Sequence, residues 1–438
     1  MKKQKVEDIY AQTMRQLRFG FKGSNIYLKK KEYWKKLSED EAVLEICGLF
    51  DSQTIGELRD SNVREALKRL RNNPDLQIEF TEAEKENFIN LQNGVFDVEQ
   101  GKLLERTEDF QFSYVLKFQC VTEPKLYKAP NFEQFLKTTF PDAYEEKSRL
   151  LLEVFGYCLS DYLSAKTAFF LIGESNSGKS TVLELLEKIF PEETVTAIPL
   201  HRLSNRFNVA RLENKKLNIC TELAENSLAA LDIFKQLTAN EVVTAEHKGK
   251  SPFEFRIRCK SINASNMIPK IDALEGMEAV INRMTILLFR ESIPKEKQDK
   301  GLLEKLWEER DEIFSLALEA LVDLRKKDFS FLEPQDTQRI KKQMFGQGKA
   351  LEEFVEDCCV YEEEGRIHIA TLFEAFERYC GQNLLDVKFS KMQFSQRIYN
   401  MKGVQKKKMR IAGSPPLYGV KGLRLKAGWE YNSQDSEA

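Results

Sequence analysis

The chain has 438 residues, 42% of them hydrophobic, and a formal net charge of −2, which is typical of a globular protein with about two to four domains. It contains no run of about 18 or more apolar residues, and its charged N-terminus is not followed by the apolar segment of a signal peptide. We therefore expect neither a membrane span nor a secretion signal, and we expect a cytoplasmic protein.

Cysteines and histidines are placed in a way that excludes two common kinds of structural site. The eight cysteines contain no C-x-x-C pair, and the three histidines lie far apart at His201, His247 and His368. A zinc site needs closely spaced ligands, and a disulfide framework is typical of small secreted chains. We expect reduced thiols in the core.

The first 75 residues have a mainly helical pattern with one short strand near residues 25–28. Ser38–Glu41 and Thr54–Glu57 fit the capping-box pattern that begins a helix. The lysine runs at 29–31 and 35–36 could contact nucleic acid or form a solvated charged face, and the second interpretation is the simpler one.

Residues 88–104 alternate in polarity and contain turn signals at Asn93-Gly94 and Gln100-Gly101, which predicts a small β-meander. Helices are expected after Pro130 and Pro141. We place a domain boundary near residues 124–130, so that residues 1–125 form an α+β leader domain.

The clearest motif follows the apolar strand that ends at Ile172. Residues 173–180 fit G-x-x-x-x-G-K-[ST], a loop whose backbone N–H groups bind phosphate oxygens at the start of a helix. Lys179 would reach the β- and γ-phosphates of ATP and Ser180 would bind Mg²⁺. The full predicted nucleotide site consists of Gly173, Glu174, Ser175, Asn176, Ser177, Gly178, Lys179, Ser180 and Thr181.

Two further strands end in polar side chains that suit phosphate chemistry. The strand at 217–222 ends in Glu222, which could orient the attacking water or hold Mg²⁺, with Glu225 as a weaker candidate. The strand at 260–266 ends in Asn266, which could bind the water or the γ-phosphate. Otherwise Asn266 is a loop residue that tolerates a left-handed backbone.

Basic residues mark a predicted hairpin between these strands and the start of the next strand. Lys248 and Lys250 lie near a turn at Gly249, suited to a DNA backbone or to keeping an edge hairpin soluble. Arg283 precedes an apolar strand and could reach a neighbouring subunit's nucleotide, or form a structural ion pair. A helical region at 302–324 closes this domain (126–330), and residues 331–349 are the predicted linker.

The C-terminal residues 350–438 form a separate basic module. Eleven Lys or Arg residues and no acid occur between Val387 and Trp429. Helices followed by a basic helix and a hairpin predict a winged helix that binds DNA, or a related protein-interaction unit. The DNA-binding candidates are Lys391, Lys406, Lys407, Lys408 and Arg410.

With the loop, Glu222, the basic hairpin, Asn266 and Arg283 in this order, the chain resembles superfamily 3 helicases of the phage, plasmid and poxvirus primase-helicase type. The resemblance covers about residues 25–425. Besides the loop, it depends on residues 88–98, 151–159, 206–207, 212–217, 235–238, 247–249, 266–269 and 282–283.

The resemblance implies an AAA+ ATPase with a central, mostly parallel sheet that assembles as a hexameric ring and moves along single-stranded DNA in the 3′ to 5′ direction. It implies that Lys179 and Ser180 form the phosphate and Mg²⁺ site, Glu222 is the Walker B acid, Lys248 belongs to the DNA hairpin, Asn266 is the sensor and Arg283 is a finger acting in trans. Thr221 stands where many relatives have a second acid, and Thr238–Glu241 replaces their usual Thr-Gly-Gly-Asp.

These observations predict an ATP- and Mg²⁺-dependent DNA helicase that replicates a mobile element. Only a short leader precedes the matched region, so we expect no primase domain in this chain but a primase or other replication proteins as partners. The main alternative is an initiator that binds an origin through its C-terminal module. A P-loop enzyme of another class, such as a small-molecule kinase, is the third interpretation.

Overall fold

The computed structural model describes residues 5–56, 58–80, 86–221, 223, 231–269, 277–289, 292–294, 296, 298–383, 389–411 and 415–429. The chain begins with an α+β leader in which an antiparallel sheet of order β1-β2-β3 packs against helices. Its elements are α1 (Val6–Gln16), β1 (Phe19–Lys22), β2 (Asn25–Lys29), β3 (Trp34–Leu37), α2 (Glu39–Cys47), α3 (Ser52–Ile55) and α4 (Asp60–Arg71).

The leader confirms one predicted helix start and corrects the other. Ser38 and Glu41 form the predicted capping box, with Glu41 N donating to Ser38 Oγ over 3.2 Å and Ser38 N donating to Glu41 Oε2 over 2.7 Å. Thr54 instead lies within α3, and α4 begins only at Asp60. Glu57 lies outside the described residues. The strand near 25–28 is present as β2, whereas β1 and β3 were not predicted, because four-residue strands carry too little periodicity to be recognised.

A β-meander follows, as the sequence predicts, in the order β4-β5-β6. Its strands are β4 (Phe88–Leu91), β5 (Gly94–Asp97) and β6 (Lys102–Leu104), and it is followed by α5 (Pro130–Thr139) and α6 (Tyr144–Leu159). Ile89, Leu91 and Phe96 share an apolar core with both helices and with one face of the sheet that comes next. The meander therefore packs on the central part of the chain.

The centre of the fold is a parallel sheet of order β13-β7-β12-β9-β8. Its strands are almost wholly buried, as expected where helices cover both faces. In chain order this region contains β7 (Ala168–Gly173), α7 (Lys179–Ile189), β8 (Val195–Thr196), α8 (Arg206–Val209), β9 (Leu217–Cys220), α9 (Leu231–Thr238), β10 (Val242–Ala245), β11 (Phe253–Arg256), β12 (Lys260–Ser265), α10 (Met277–Ile281), β13 (Met284–Phe289), α11 (Leu302–Glu308) and α12 (Arg310–Lys326).

The last part of the chain combines a long helix with an antiparallel sheet of order β14-β16-β15. Its elements are α13 (Gln335–Cys358), β14 (Cys359–His368), α14 (Ile369–Gln382), α15 (Lys391–Tyr399), β15 (Gln405–Met409) and β16 (Leu417–Leu425). Most of residues 331–349, predicted as a linker, thus belong to a helix. Pro334 immediately precedes the first helical residue, where proline does not interrupt helical hydrogen bonds.

One apolar core joins this C-terminal module to the central sheet. Residues of β13 and α10 belong to the same buried cluster as Leu351 and Phe354 of α13 and Phe394 of α15. In the described part of the chain, no helix combines the length and the apolar character that crossing a bilayer requires.

Candidate functional site

The predicted phosphate loop connects the end of β7 to the start of α7. A Cβ atom at Gly173 would lie 1.6 Å from the carbonyl oxygen of Phe289, so the close approach of β13 admits only glycine there. Gly178, which precedes α7, has φ of 98°, and Asn176 has φ of 60°. Left-handed conformations favour glycine and are tolerated by asparagine. The backbone therefore makes the tight turn that a phosphate-binding loop requires.

Lys179 lies inside this loop and is only 7% exposed. Its Nζ donates to the carbonyl oxygens of Gly173 over 2.7 Å and Glu174 over 2.6 Å, and it lies 3.3 Å from Ser177 Oγ. Burial lowers the pKa of this ammonium group. The amine is thus held by weakly basic carbonyls that anionic phosphate oxygens can replace as stronger partners.

Ser180 and the tip of the loop are accessible from outside. Ser180 is exposed next to buried Lys179, and Thr181 is half-buried. Ser177 Oγ donates to the carbonyl of Glu174 over 2.8 Å and so braces the loop internally. The Ser180 hydroxyl at the start of α7 is therefore accessible to solvent, as a binding site for a metal-bound phosphate requires.

Asn266 lies beside the loop. Strand β12 is parallel to β7, with Ser265 paired to Ile172, so both strands end at the same edge of the sheet. Asn266 Nδ2 is 3.4 Å from Ser175 Oγ, a long hydrogen bond. The structure therefore brings these two predicted site residues together at the edge where open parallel sheets bind ligands.

The position of Glu222 stays a prediction, because Glu222 and Glu225 lie outside the described residues. The strand before Glu222 is described: β9 is parallel to β12 and pairs Cys220 with Asn263. Leu223 N donates to the carbonyl of Ala264 over 3.0 Å. The chain on both sides of position 222 therefore lies at the same sheet edge as the loop.

Arg283 lies at the opposite edge of the sheet. Its carbonyl accepts from Ala168 N over 2.9 Å, at the start of β7, whereas the loop follows the end of β7. The six residues of β13 separate Arg283 from that edge by about 20 Å at 3.3 Å per residue. Its Nη1 donates to the carbonyl of Ala279 over 2.8 Å, and its buried Nε has no hydrogen-bond partner among the described residues. Arg283 therefore does not meet the loop of its own chain.

The basic hairpin forms as predicted, with β10 and β11 antiparallel. Gly249 has φ of 76° in the turn, and Lys250 N donates to the carbonyl of His247 over 2.9 Å. Lys248 and Lys250 are both exposed. The tip thus offers two cations to solvent.

One aromatic contact and one exposed ring near the hairpin were not assigned from the sequence. The His247 ring stacks on Phe253 with centroids 4.8 Å apart and an interplanar angle of 14°. Phe207 is 47% exposed, and the neighbouring Arg206 accepts a backbone hydrogen bond from Glu246, just before the tip. Their only sequence signal was membership in short motifs of the resemblance. An exposed ring beside a basic residue is suited to stacking on nucleic-acid bases.

Residues Thr238–Glu241, which differ from the Thr-Gly-Gly-Asp of the resembled family, form a tight turn at the end of α9. Asn240 has φ of 56°, a conformation that asparagine adopts more readily than most residues other than glycine. Ala239 N donates to the carbonyl of Lys235 over 2.9 Å, and Glu241 N donates to that of Gln236 over 3.3 Å. Asparagine here makes the left-handed turn that leads to the hairpin.

The basic residues of the C-terminal module divide into a paired and an unpaired group. Lys421 pairs with Glu364 over 2.6 Å, and Arg424 pairs with Glu362. The strand β14 supplies both acids, so the acid-free window at 387–429 does not describe the local charge. Lys391, Lys406, Lys407, Lys408 and Arg410 are exposed, and no ion pair joins them to another described residue.

Tyrosines accompany the unpaired lysines. The Lys406 ammonium lies 5.0 Å from the ring centroids of both Tyr399 and Tyr418, and that of Lys408 lies 6.0 Å from Tyr418. Tyr418 is 55% exposed. The edge of β15 therefore combines positive charge with an accessible aromatic ring, a pairing suited to nucleic acid.

Comparisons with known proteins agree with this architecture. The family described as D5 N terminal like matches residues 8–141, and the Family of unknown function (DUF5906) matches residues 171–279. A putative helicase, L207/L206 of Acanthamoeba polyphaga mimivirus, is 25% identical over 198 residues, which cover 43% of this chain and 20% of that protein.

One solved structure has a similar fold over almost the whole chain. The A form of the apo NrS-1 C terminal region has a TM-score of 0.50 at 15% identity and covers 96% of this chain and 100% of its own. Another apo structure of that region has a TM-score of 0.46 at 16% identity, with 96% and 100% covered.

The D5-type match and the helicase relative confirm the resemblance to proteins of the phage and viral primase-helicase type. The chain carries the leader and the five-stranded parallel sheet expected of that type. The chain spans about a fifth of the length of the mimivirus relative that it matches.

Proposed function

We propose that the chain is an ATP-dependent DNA helicase that acts in the replication of a phage, plasmid or other mobile element. The observation that carries this proposal is the loop at the end of β7, with Lys179 inside it and Asn266 beside it. The putative helicase relative and the D5-type match support the same activity. The AAA+ classification and the 3′ to 5′ direction rest on the resemblance.

The residues of the loop fit ATP with Mg²⁺. Gly173 leaves no space for a side chain between β7 and β13, and the Lys179 ammonium is already placed inside the loop. Ser180 and Glu222 would hold Mg²⁺, which when bound neutralises charge on the phosphates. Lys179 orients the β- and γ-phosphates, and Asn266 positions the attacking water or the γ-phosphate.

The site is completed by a second copy of the chain, in a ring that is hexameric by resemblance. Arg283 lies about 20 Å from its own loop at the other edge of the sheet, and this distance is compatible with a role at the nucleotide of a neighbour. Fingers of this kind contribute roughly 10³- to 10⁵-fold in rate. The hairpins with Lys248 and Lys250 then contact DNA in the centre of the assembly.

The first test measures DNA-stimulated ATP hydrolysis and unwinding of tailed duplexes. Lys179→Ala should abolish both, whereas Glu184→Ala, at an exposed position of the same helix, should change neither. A 3′-tailed duplex should be unwound and a 5′-tailed one should not. Unwinding by the Lys179→Ala protein would show that this loop does not drive the activity.

The second test mixes inactive subunits. In an equal mixture of Lys179→Ala and Arg283→Ala chains, about a quarter of the interfaces combine an intact loop with an intact Arg283. ATP hydrolysis should therefore reappear, although each variant alone is inactive. Activity of Arg283→Ala equal to wild type, or no recovery after verified subunit exchange, would contradict a shared site.

A second candidate function is that of an initiator which binds an origin through a C-terminal winged helix. The exposed lysines of β15 beside Tyr418 favour this possibility. Replacing Lys406, Lys407 and Lys408 by glutamate should then abolish sequence preference in duplex binding while basal ATP hydrolysis persists. Unchanged preference would remove the initiator role from this module.

A further inference from the structure

Helix α13 begins inside the central core and is anchored to strand β13. Thr337 is 1% exposed, and its Oγ1 donates to the carbonyl of Ile286 over 3.0 Å. Lys147 pairs with Asp336 over 2.8 Å and donates to the carbonyl of Leu288 over 2.9 Å. Both anchors thus contact β13 within five residues after Arg283.

The element on the other side of Arg283 also contacts α13. Helix α10 provides the carbonyl of Ala279 that accepts from Arg283 Nη1, and α10 packs against α13. Val280 and Ile281, both fully buried, belong to the same apolar cluster as Leu351 of α13. The two elements that fix Arg283 are therefore both held by one helix.

The other end of α13 is part of the C-terminal module. The Phe354 ring lies 5.3 Å from Phe376 of α14 and 6.4 Å from Phe394 of α15, measured between centroids. The carbonyl of Cys358 accepts from Lys426 N over 2.7 Å, just after β16. The same helix therefore supports α15 and β16, the elements beside the exposed lysines.

We infer that α13 couples the C-terminal module to Arg283, and that Thr337 is a positioning residue for that arginine. The helix runs without interruption from Gln335 to Cys358, so a displacement of the module moves its first turn as well. A flexible linker would not transmit a displacement of the module to the central sheet, whereas a helix packed at both ends is a physical route for coupling. This inference rests on the proposed function, and it adds that DNA bound by the module stimulates hydrolysis at the neighbouring loop through this helix.

Thr337→Val tests the contact with β13. Valine has nearly the shape of threonine but lacks the hydroxyl, whereas Thr337→Ser keeps it and is the matched control. We expect Thr337→Val to lower the DNA-stimulated kcat roughly tenfold, a fraction of the contribution of a finger, with the KM for ATP and the affinity for DNA unchanged. Thr337→Ser should stay within about twofold of wild type.

A merely structural role of Thr337 would give a different result. A lower thermal midpoint with an unaltered ratio of DNA-stimulated to basal kcat would overturn the positioning role. Equal loss of that ratio in both variants would overturn it too, since serine retains the hydrogen bond.

Insertion of Gly-Ser-Gly-Ser after Gln347 tests the continuity of the helix. The ratio of DNA-stimulated to basal ATP hydrolysis should fall to about one, while DNA affinity stays unchanged. The same insertion after Gly23, in the open turn between β1 and β2, should leave the ratio at its wild-type value. Persistence of full stimulation with the helix interrupted would refute the coupling. ATP hydrolysis that survives Lys179→Ala in the chain without an insertion would refute the proposed function instead.

Discussion

Replacement of Asp336 by asparagine should destabilise the chain by about 3 kcal/mol, at the low end of the cost of breaking a buried ion pair. The Asp336 and Lys147 side chains are 7% and 4% exposed, and their charged atoms are 2.8 Å apart. Asparagine keeps the shape of the aspartate side chain but removes its charge. The Lys147 ammonium then keeps the carbonyl of Leu288 and the ring of Phe140, whose centroid is 5.8 Å away. These partners compensate only part of the buried charge.

The double variant Lys147→Met with Asp336→Leu separates the charge from the packing. Replacing both partners of a buried pair by apolar residues is often close to neutral, so the double variant should lie within about 1 kcal/mol of wild type. Urea unfolding followed by circular dichroism and by the fluorescence of Trp34, Trp307 and Trp429 measures both effects, and separate transitions are expected for a chain with several cores.

The prediction fails if Asp336→Asn lowers the free energy of unfolding by less than about 1 kcal/mol, because a buried ammonium without its acidic partner should destabilise the fold by more than that. It also fails if the double variant loses as much as the single one. In that case the Lys147 and Asp336 side chains would stabilise the fold through their packing alone, and their charges would not determine where α13 starts.

Three further predictions test separate parts of the fold. Gly173→Ala should abolish ATP binding and lower the free energy of unfolding by about 3 kcal/mol, since its Cβ would lie 1.6 Å from Phe289 O; binding of a fluorescent ATP analogue and urea unfolding measure these effects. Lys406→Gln should reduce the slope of log K against log salt for DNA binding by about 0.9, whereas Lys421→Gln, at a lysine already paired with an acid, should change it little. Burial lowers the pKa of Lys260 to about 8, so above that pH the unfolded chain binds more protons than the folded chain. The free energy of unfolding of the wild type should therefore rise relative to that of Lys260→Met by about 3 kcal/mol as the pH increases from 7 to 10.5. A constant difference in urea unfolding across this range would contradict the third prediction.

The loop, the meander and the basic hairpin could be predicted because their signals are local. Glycines at fixed spacing, alternating polarity and turn dipeptides each specify a few neighbouring residues, and the structure contains them at residues 173–180, 88–104 and 242–256. The proximity of Asn266 to the loop was also predictable. It follows from the rule that parallel strands end at one edge, although the sequence does not give the order of the strands.

The first half of α13 could not be predicted, because its local signals oppose a helix. Gly346 and Gly348 lie inside it, and each costs about 1 kcal/mol relative to alanine. Burial of Leu351 and Phe354 in the shared core and the contacts of Asp336 and Thr337 with the central region offset this cost. Those contacts join residues about 50 to 190 positions apart, which no local pattern reveals.

Charge counted along the sequence also misrepresented charge in space. The window at 387–429 contains no acid, yet Glu362 and Glu364 reach two of its basic residues across the β14-β16 pair. The exposed lysines of β15 are therefore the better guide to a polyanion site than the total of eleven Lys and Arg residues, because a cation without an acidic partner is free to neutralise a phosphate and displace a counterion from the DNA.

The shared core determines how the C-terminal module has to be studied. Val280 and Ile281 of α10 and Ile286 of β13 are buried in the same cluster as Leu351 and Phe354, so removing residues 350–438 would expose the apolar surface that holds Arg283 in place. A deletion variant could therefore lose activity because Arg283 is no longer held in position, as well as because DNA contacts are missing. Substitutions at Lys406–Lys408 leave this core intact, because those side chains are exposed, and they alone separate recognition of DNA from assembly of the catalytic site.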